Sequence, residues 1–166
     1  RLARGTGSPR ATSGCCAGMT IDRLLDERDV CDAHYRFAEG IDLRDWVLYR
    51  SAFTDTLAFD YTSYRPGSAG SVAADSWVDR ARRRFETLTA TQHTMSNPRV
   101  QLQGDRATCT MYVEAWHSLQ VDDTSVLCTI GGRYVNELVR VGREWRIEVL
   151  RLHVRWIQGD QSILDR

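Results

Sequence analysis

Residues 106–119 alternate apolar and polar side chains, and no other stretch of the chain restricts the fold as tightly. Ala107, Cys109, Met111, Val113, Ala115 and His117 fall on one face, and Thr108, Thr110, Tyr112, Glu114 and Trp116 on the other. A period of two sustained over this length specifies a long strand with one buried face. Gly104-Asp105 marks a hairpin turn back to an element over 91–103 that breaks at Asn97-Pro98. Further strands are expected over about 125–141 and from Trp145 to about Trp156, joined by a turn at Gly142-Arg143. The second half of the chain therefore reads as a long antiparallel meander.

The first half has a different period. From Thr20, the residues Ile21, Leu24, Leu25, Val30, Ala33, Phe37 and Ala38 recur mostly at helical spacing, and Gly40 is a natural C-cap. Asp42 then serves as N-cap of a second helix over about 43–53, with Asp45 in its first turn. Residues 56–61 read as a short strand and Tyr64–Ser68 as a turn-rich loop. A third helix is expected over roughly 71–88, containing Trp77, Val78, Ala81, Phe85 and Leu88. Helices followed by a meander give an α+β fold: a strongly curved antiparallel or mixed sheet wrapped around three N-terminal helices. Such an α+β barrel leaves an apolar cone with one open end and one pocket. Residues 1–18, rich in Gly, Ser, Thr, Ala and Arg, read as a disordered leader or upstream artefact with Met19 as the natural start. An organelle-targeting segment is the lesser reading. Residues 19–166 form the single domain.

Composition removes several functional classes. Basic and acidic residues balance at 22 each, so no global field draws the protein to nucleic acid or an anionic membrane. No apolar run is long enough to span a bilayer. The five cysteines (Cys15, Cys16, Cys31, Cys109 and Cys128) form no CxxC pair, which fits a reduced, cytoplasmic protein; a Cys109–Cys128 disulfide is the lesser alternative. Arg80, Arg82, Arg83 and Arg84 lack aromatic interleaving and read as a solvated helix face. The four histidines have no metal-ligand spacing, and no P-loop, GxGxxG or GxSxG is present. Neither a metal nor a cofactor is expected.

The chemistry-bearing residues are few. Asp42 is either a plain helix cap or an inward carboxylate. In the second case it needs a partner, because burying an unpaired carboxylate is costly. His93, in Thr91-Gln92-His93-Thr94, is the best candidate, and an Asp–His pair in a pocket is a general base. His117, on the apolar face of its strand, is either a hydrogen-bonded core residue or a pocket residue. Tyr61, at a strand end, is a core aromatic or a hydroxyl donor. Arg140 and Arg155 are solvent-facing strand residues unless they face a closed pocket, where they would stabilise negative charge. Tyr35, in the Tyr- and His-bearing segment ahead of Asp42, is a further candidate for substrate contact.

Taken in order, these residues resemble the SnoaL-like proteins of the nuclear transport factor 2-like superfamily, especially scytalone dehydratase, over nearly all of 20–158. Ile41-Asp42-Leu43-Arg44-Asp45-Trp46 is similar to a Tyr-Asp-Ser-Lys-Asp-Trp stretch of that enzyme, Phe59-Asp60-Tyr61 to its Ile-Asp-Tyr, and Thr91-Gln92-His93 to its Thr-Gln-His. His117 matches its second pocket histidine, and Glu144-Trp145-Arg146-Ile147 and Val154-Arg155-Trp156 match its closing motifs. Tyr134-Val135-Asn136-Glu137-Leu138-Val139-Arg140 resembles a segment of hexachlorocyclohexane dehydrochlorinase, and Asp42, His93 and Arg155 match an Asp, a His and an Arg of bile-acid dehydratase. Ile41 and Phe37 stand where these enzymes carry Tyr or Lys.

The resemblance implies a cofactor-independent lyase of the dehydratase type, acting on a small hydrophobic polyketide-, steroid- or terpenoid-like substrate. Asp42 and His93 would be catalytic, and Tyr61, His117, Arg140, Arg155 and Tyr35 would bind substrate. An isomerase or cyclase using the same proton abstraction is the alternative, as is a non-catalytic binding or dimerisation module. The resemblance also implies a homo-oligomer, a dimer or trimer formed through the outer sheet face, where Tyr112, Trp116 and Leu119 lie.

Overall fold

The computed structural model describes residues 20–165. The expectations for residues 1–18 and for Met19 as the start lie outside that range. Helix α1 spans Ile21–Asp42, α2 Trp46–Ser51 and α3 Ala74–Phe85. The strands are β1 (Phe53–Asp60), β2 (Ala69–Ala73), β3 (Ala90–Gln103), β4 (Arg106–Val121), β5 (Thr124–Val141) and β6 (Glu144–Gly159), followed by a 3₁₀ turn at Gln161–Leu164. One curved, unclosed sheet runs in the order β2-β1-β6-β5-β4-β3 around the helices. Its β3–β6 portion is the expected antiparallel meander, while β1 joins β6 in parallel and makes the sheet mixed. No described helix is long and apolar enough to cross a membrane.

The alternation in β4 is realised in full: Ala107, Cys109, Met111, Val113, Ala115 and His117 are buried, and Tyr112 and Trp116 are exposed. The inner face packs on α1 through Val30, Ala33, Phe37, Ala38 and Ile41. Phe53, Leu57, Trp145, Ile147 and Leu150 are fully buried in the same cluster, and each contributes roughly 1.5–3 kcal/mol by leaving water. Arg36 ties the layers together, donating to Ser51 O at 2.6 Å on α2 and to Trp145 O at 3.0 Å on β6. A second cluster of Leu88, Cys128, Ile130, Ile163 and Leu164 closes the sheet's other end.

Three local expectations change. First, α1 does not stop at Gly40 but runs on to Asp42. Gly40 is inside the helix because Tyr49 crosses there: an added Cβ would lie 2.5 Å from the Tyr49 backbone nitrogen. Second, the N-cap of α2 is Asp45, whose carboxylate accepts from Leu48 N at 2.9 Å, so Asp42 is not a cap. Third, residues 69–73 pair with β1 as β2 instead of opening α3. The break at Asn97-Pro98 is a bulge in β3, with Asn97 at φ 52°. Cys109 lies opposite Asn136 and not opposite Cys128, and Cys31, Cys109 and Cys128 are free thiols.

Candidate active site

Because Asp42 is released from capping, its carboxylate can turn toward β3. It accepts from the His93 backbone N–H at 2.6 Å through Oδ2, and meets His93 Nδ1 at 2.7 Å and the Thr91 hydroxyl at 3.0 Å through Oδ1. Thr91 and His93 can both reach it because residues two apart on a strand share a face. Arg44, in a left-handed turn at φ 59°, folds back to donate to Ile41 O at 2.5 Å and to Thr91 Oγ1 at 2.8 Å. The Thr91 hydroxyl thus receives Arg44 and donates to Asp42, which fixes the carboxylate from behind.

Burial pushes the Asp42 carboxyl up. The His93 ring, the His93 backbone N–H and Thr91 outweigh it and hold the group below the usual carboxylate range. An ionised Asp42 accepts from Nδ1–H, so the remaining His93 nitrogen, Nε2, carries the lone pair. Nε2 has no protein hydrogen-bond partner among the described residues. The His93 side chain is 5% exposed and Asp42 19%, so the pair is shielded from bulk water.

His93 lines a cavity of about 360 Å³, within the size range of small-molecule sites. Its apolar walls include Phe37, Ile41, Trp77, Phe85, Val113 and Leu152. His117 stands beside His93, ring centroids 5.7 Å apart, and stacks on Phe85 at 6.0 Å. Its Nδ1–H donates to Cys128 O at 3.1 Å, which turns a second bare Nε2 toward the same space. Burial, and then the neighbouring His93, bring His117 down to about 4, so it is neutral near pH 7. Elsewhere in the lining the Tyr61 and Tyr134 hydroxyls lie 3.3 Å apart, and Tyr49 accepts from Trp77 Nε1 at 2.8 Å. Burial raises Tyr61 well above its usual value and Tyr134 to about 12, so both remain neutral hydroxyls, one donating to the other.

Of the residues singled out in the sequence, the structure brings together Asp42, His93, Tyr61 and His117. The other three lie elsewhere. Tyr35 is 45% exposed on the outer side of α1 and does not line the cavity. Arg140 shares the inward side of β5 but sits at its far end, bound to Asp26 at 2.7 Å and Asp105 at 3.0 Å and lying over Trp145. Arg155 is the extra residue of a bulge: Gly131 pairs with Trp156 and Gly132 with Val154, which leaves Arg155 exposed. Conversely, Tyr134, Tyr49, Thr91, Arg44, Arg80 and Arg84 belong to the site or its support and were not predicted as such. Inward parity with Gly132 and Asn136 was the available signal for Tyr134. Among the described residues no cluster of three or more His, Cys, Asp or Glu is placed to hold a metal.

Comparison with solved structures returns the same architecture. A protein from Kribbella flavida is 25% identical with a TM-score of 0.80, over 86% of this chain and 99% of the other. A Novosphingobium aromaticivorans protein provisionally named scytalone dehydratase is 16% identical with a TM-score of 0.74, over 86% and 93%. A hexachlorocyclohexane dehydrochlorinase from Novosphingobium barchaimii is 18% identical with a TM-score of 0.67, over 86% and 94%. No curated protein matches the chain. The sequence profile of the SnoaL-like domain matches residues 22–151, most of the chain; with the helix-filled curved sheet, this shows that the protein belongs to the SnoaL-like family.

Proposed function

We propose that the protein is a cofactor-independent lyase of the dehydratase type, acting on a small hydrophobic polyketide-, steroid- or terpenoid-like molecule. The observation that carries this reading is the His93 ring, held by Asp42 at one nitrogen on a largely apolar cavity that the ring lines. His93 Nε2 removes a proton from the carbon beside a carbonyl, and Asp42 stabilises the imidazolium that forms. Negative charge grows on the carbonyl oxygen, for which the Tyr61–Tyr134 pair, in which one hydroxyl accepts from the other, leaves one O–H as donor. The carbon–carbon double bond then forms as the carbon–oxygen bond breaks. The departing hydroxyl takes the proton from His93 Nε2–H and leaves as water, which restores the base. His117 Nε2 accepts a hydrogen bond from the substrate hydroxyl and orients it.

One base serving both transfers is consistent with the cavity lining, which contains no Asp or Glu among the described residues. The same feature favours, as second reading, an isomerase or cyclase in which His93 returns the proton to carbon. The outer face of β4, with Tyr112 and Trp116 exposed, is the surface we assign to association into dimers or trimers. The free thiols support a reduced, cytoplasmic setting.

The test is a screen of β-hydroxy ketone mimics followed by ultraviolet absorbance and product mass, run on wild type, Asp42→Asn and His93→Ala. New conjugation with loss of water in wild type, absent in both variants, is the expected result. A product of unchanged mass selects the isomerase. Binding in all three without turnover selects a non-catalytic module.

A further inference from the structure

Helix α3 carries four arginines, and the cavity separates them. Arg80 and Arg84 line it together with Trp77, Ala81 and Phe85, whereas Arg82 and Arg83 do not. The spacing explains the division, since residues 77, 80, 81, 84 and 85 share one helix face. Both lining arginines are also solvent-exposed, which places them at the rim. We propose that the substrate carries a carboxylate-class anionic group, held at the rim by Arg80 and Arg84 while its apolar body reaches His93.

The charge balance at the rim supports this. Arg65, the third lining arginine, is compensated by an ion pair with Asp165. Arg82 pairs with Glu86 at 4.0 Å and Arg50 with Asp75 at 2.5 Å, while Asp79, the other carboxylate of α3, lines a separate cleft with Arg50 and Arg82. Neither Arg80 nor Arg84 has a carboxylate partner among the described residues. The Arg80 guanidinium instead lies 5.2 Å from the Phe59 ring centroid and 5.0 Å from that of Trp77, a cation–π contact that leaves its N–H groups for an acceptor. Arg84's charge acts inward: burial raises Tyr49 and Tyr61 and lowers His117, and Arg84 opposes the first two shifts and adds to the third. An uncompensated pair of guanidiniums beside an apolar cavity is matched by an amphiphile with a planar oxyanion. The Tyr64 hydroxyl, which also lines the cavity, is buried without a hydrogen-bond partner among the described residues and supplies a further donor.

The inference rests on the cavity being the substrate pocket, and its test does not require turnover. Calorimetric affinities are measured for 2-naphthoate and its uncharged methyl ester. Wild type is expected to favour the carboxylate by about tenfold or more. Arg80→Gln and Arg84→Gln should each shrink that preference and the double variant abolish it, with carboxylate affinity falling more than ester affinity. Arg83→Gln removes the same charge from the same helix outside the cavity and should retain the preference, as should His93→Ala. Equal affinities in wild type, binding of neither probe, or a preference that survives in the double variant would overturn the proposal. If wild type shows the preference but turns over no hydroxy ketone, the anion site stands and the lyase reading fails.

Discussion

Replacing Asp42 by Asn keeps volume and shape but removes one acceptor from a site that uses two. The native carboxylate receives the His93 backbone N–H on Oδ2, and the His93 Nδ1–H and Thr91 hydroxyl on Oδ1. An amide has a single acceptor oxygen and so must choose. If that oxygen faces the ring, its NH₂ confronts the His93 backbone N–H, and two buried donors oppose each other at about 1–3 kcal/mol. If it faces the backbone, its NH₂ faces Nδ1 and imposes the other tautomer, with the proton on Nε2. The second arrangement is favoured by that same 1–3 kcal/mol, so the ring facing the cavity presents a donor and only about one molecule in five to one in a hundred and fifty retains a base. Loss of the carboxylate also removes charge-assisted stabilisation of the imidazolium, about 1.5–3 kcal/mol more. Together these predict a fall in kcat/KM of about 10²–10⁴ with little change in substrate affinity. Steady-state kinetics give the number, and ¹⁵N NMR of the His93 ring gives the tautomer. Retention of more than about a tenth of wild-type activity, or an unchanged Nδ1–H tautomer, would refute the reasoning.

The other predictions concern stability and the rest of the cavity. His34 is fully buried, its Nδ1–H on Val30 O at 2.9 Å and its Nε2 accepting from Asn136 Nδ2 at 3.0 Å; burial lowers its pKa to about 4. The unfolded chain binds that proton near pH 6.5 and the native state does not, so stability should fall by up to about 3 kcal/mol per group as pH drops from 6.5 to 4. His117 adds to the fall, and urea titrations at a series of pH values measure it. Gly40→Ala gains about 1 kcal/mol of helix propensity but drives a methyl into the Tyr49 backbone, so a net loss of up to about 2 kcal/mol is expected, read by denaturation. Tyr61→Phe should lower kcat about a hundred- to a thousandfold with KM nearly unchanged, as removal of an oxyanion donor does. Tyr35→Ala and Arg155→Gln, both outside the cavity, should leave kcat/KM within about twofold.

The parts of the site that were legible in the sequence are those where local pattern determines the face. The alternation of β4 places His117 inward, and the strand reading of 91–103 brings Thr91 and His93 to one side. Pattern does not determine depth or neighbours. Arg140 has the correct parity on β5, yet it lies at the end of the sheet where Asp26 of α1 receives it. Arg155 was misplaced because a one-residue bulge after Gly131 resets the alternation of β6. At the α1–α2 junction, Gly40 carries a strong stop signal that the close approach of Tyr49 overrides, and that contact decides whether Asp42 caps a helix or faces His93. The strand β2, Ala-Gly-Ser-Val-Ala, lacks the bulky branched residues that mark strands and exists through its pairing with β1. The arginine run was read as one solvated face, although helical spacing already sets Arg80 and Arg84 apart from Arg82 and Arg83.

The central claim is that His93, backed by Asp42, abstracts a proton inside the cavity. Deuterium wash-in tests it without a leaving group to complicate the outcome. A cyclic ketone shown by calorimetry to bind is incubated in D₂O with wild type, Asp42→Asn and His93→Ala, and its α-protons are followed by ¹H NMR. The account predicts exchange well above the buffer rate in wild type, a large reduction in Asp42→Asn and the buffer rate in His93→Ala. Exchange at the buffer rate in wild type, or equal exchange in all three proteins, would contradict it.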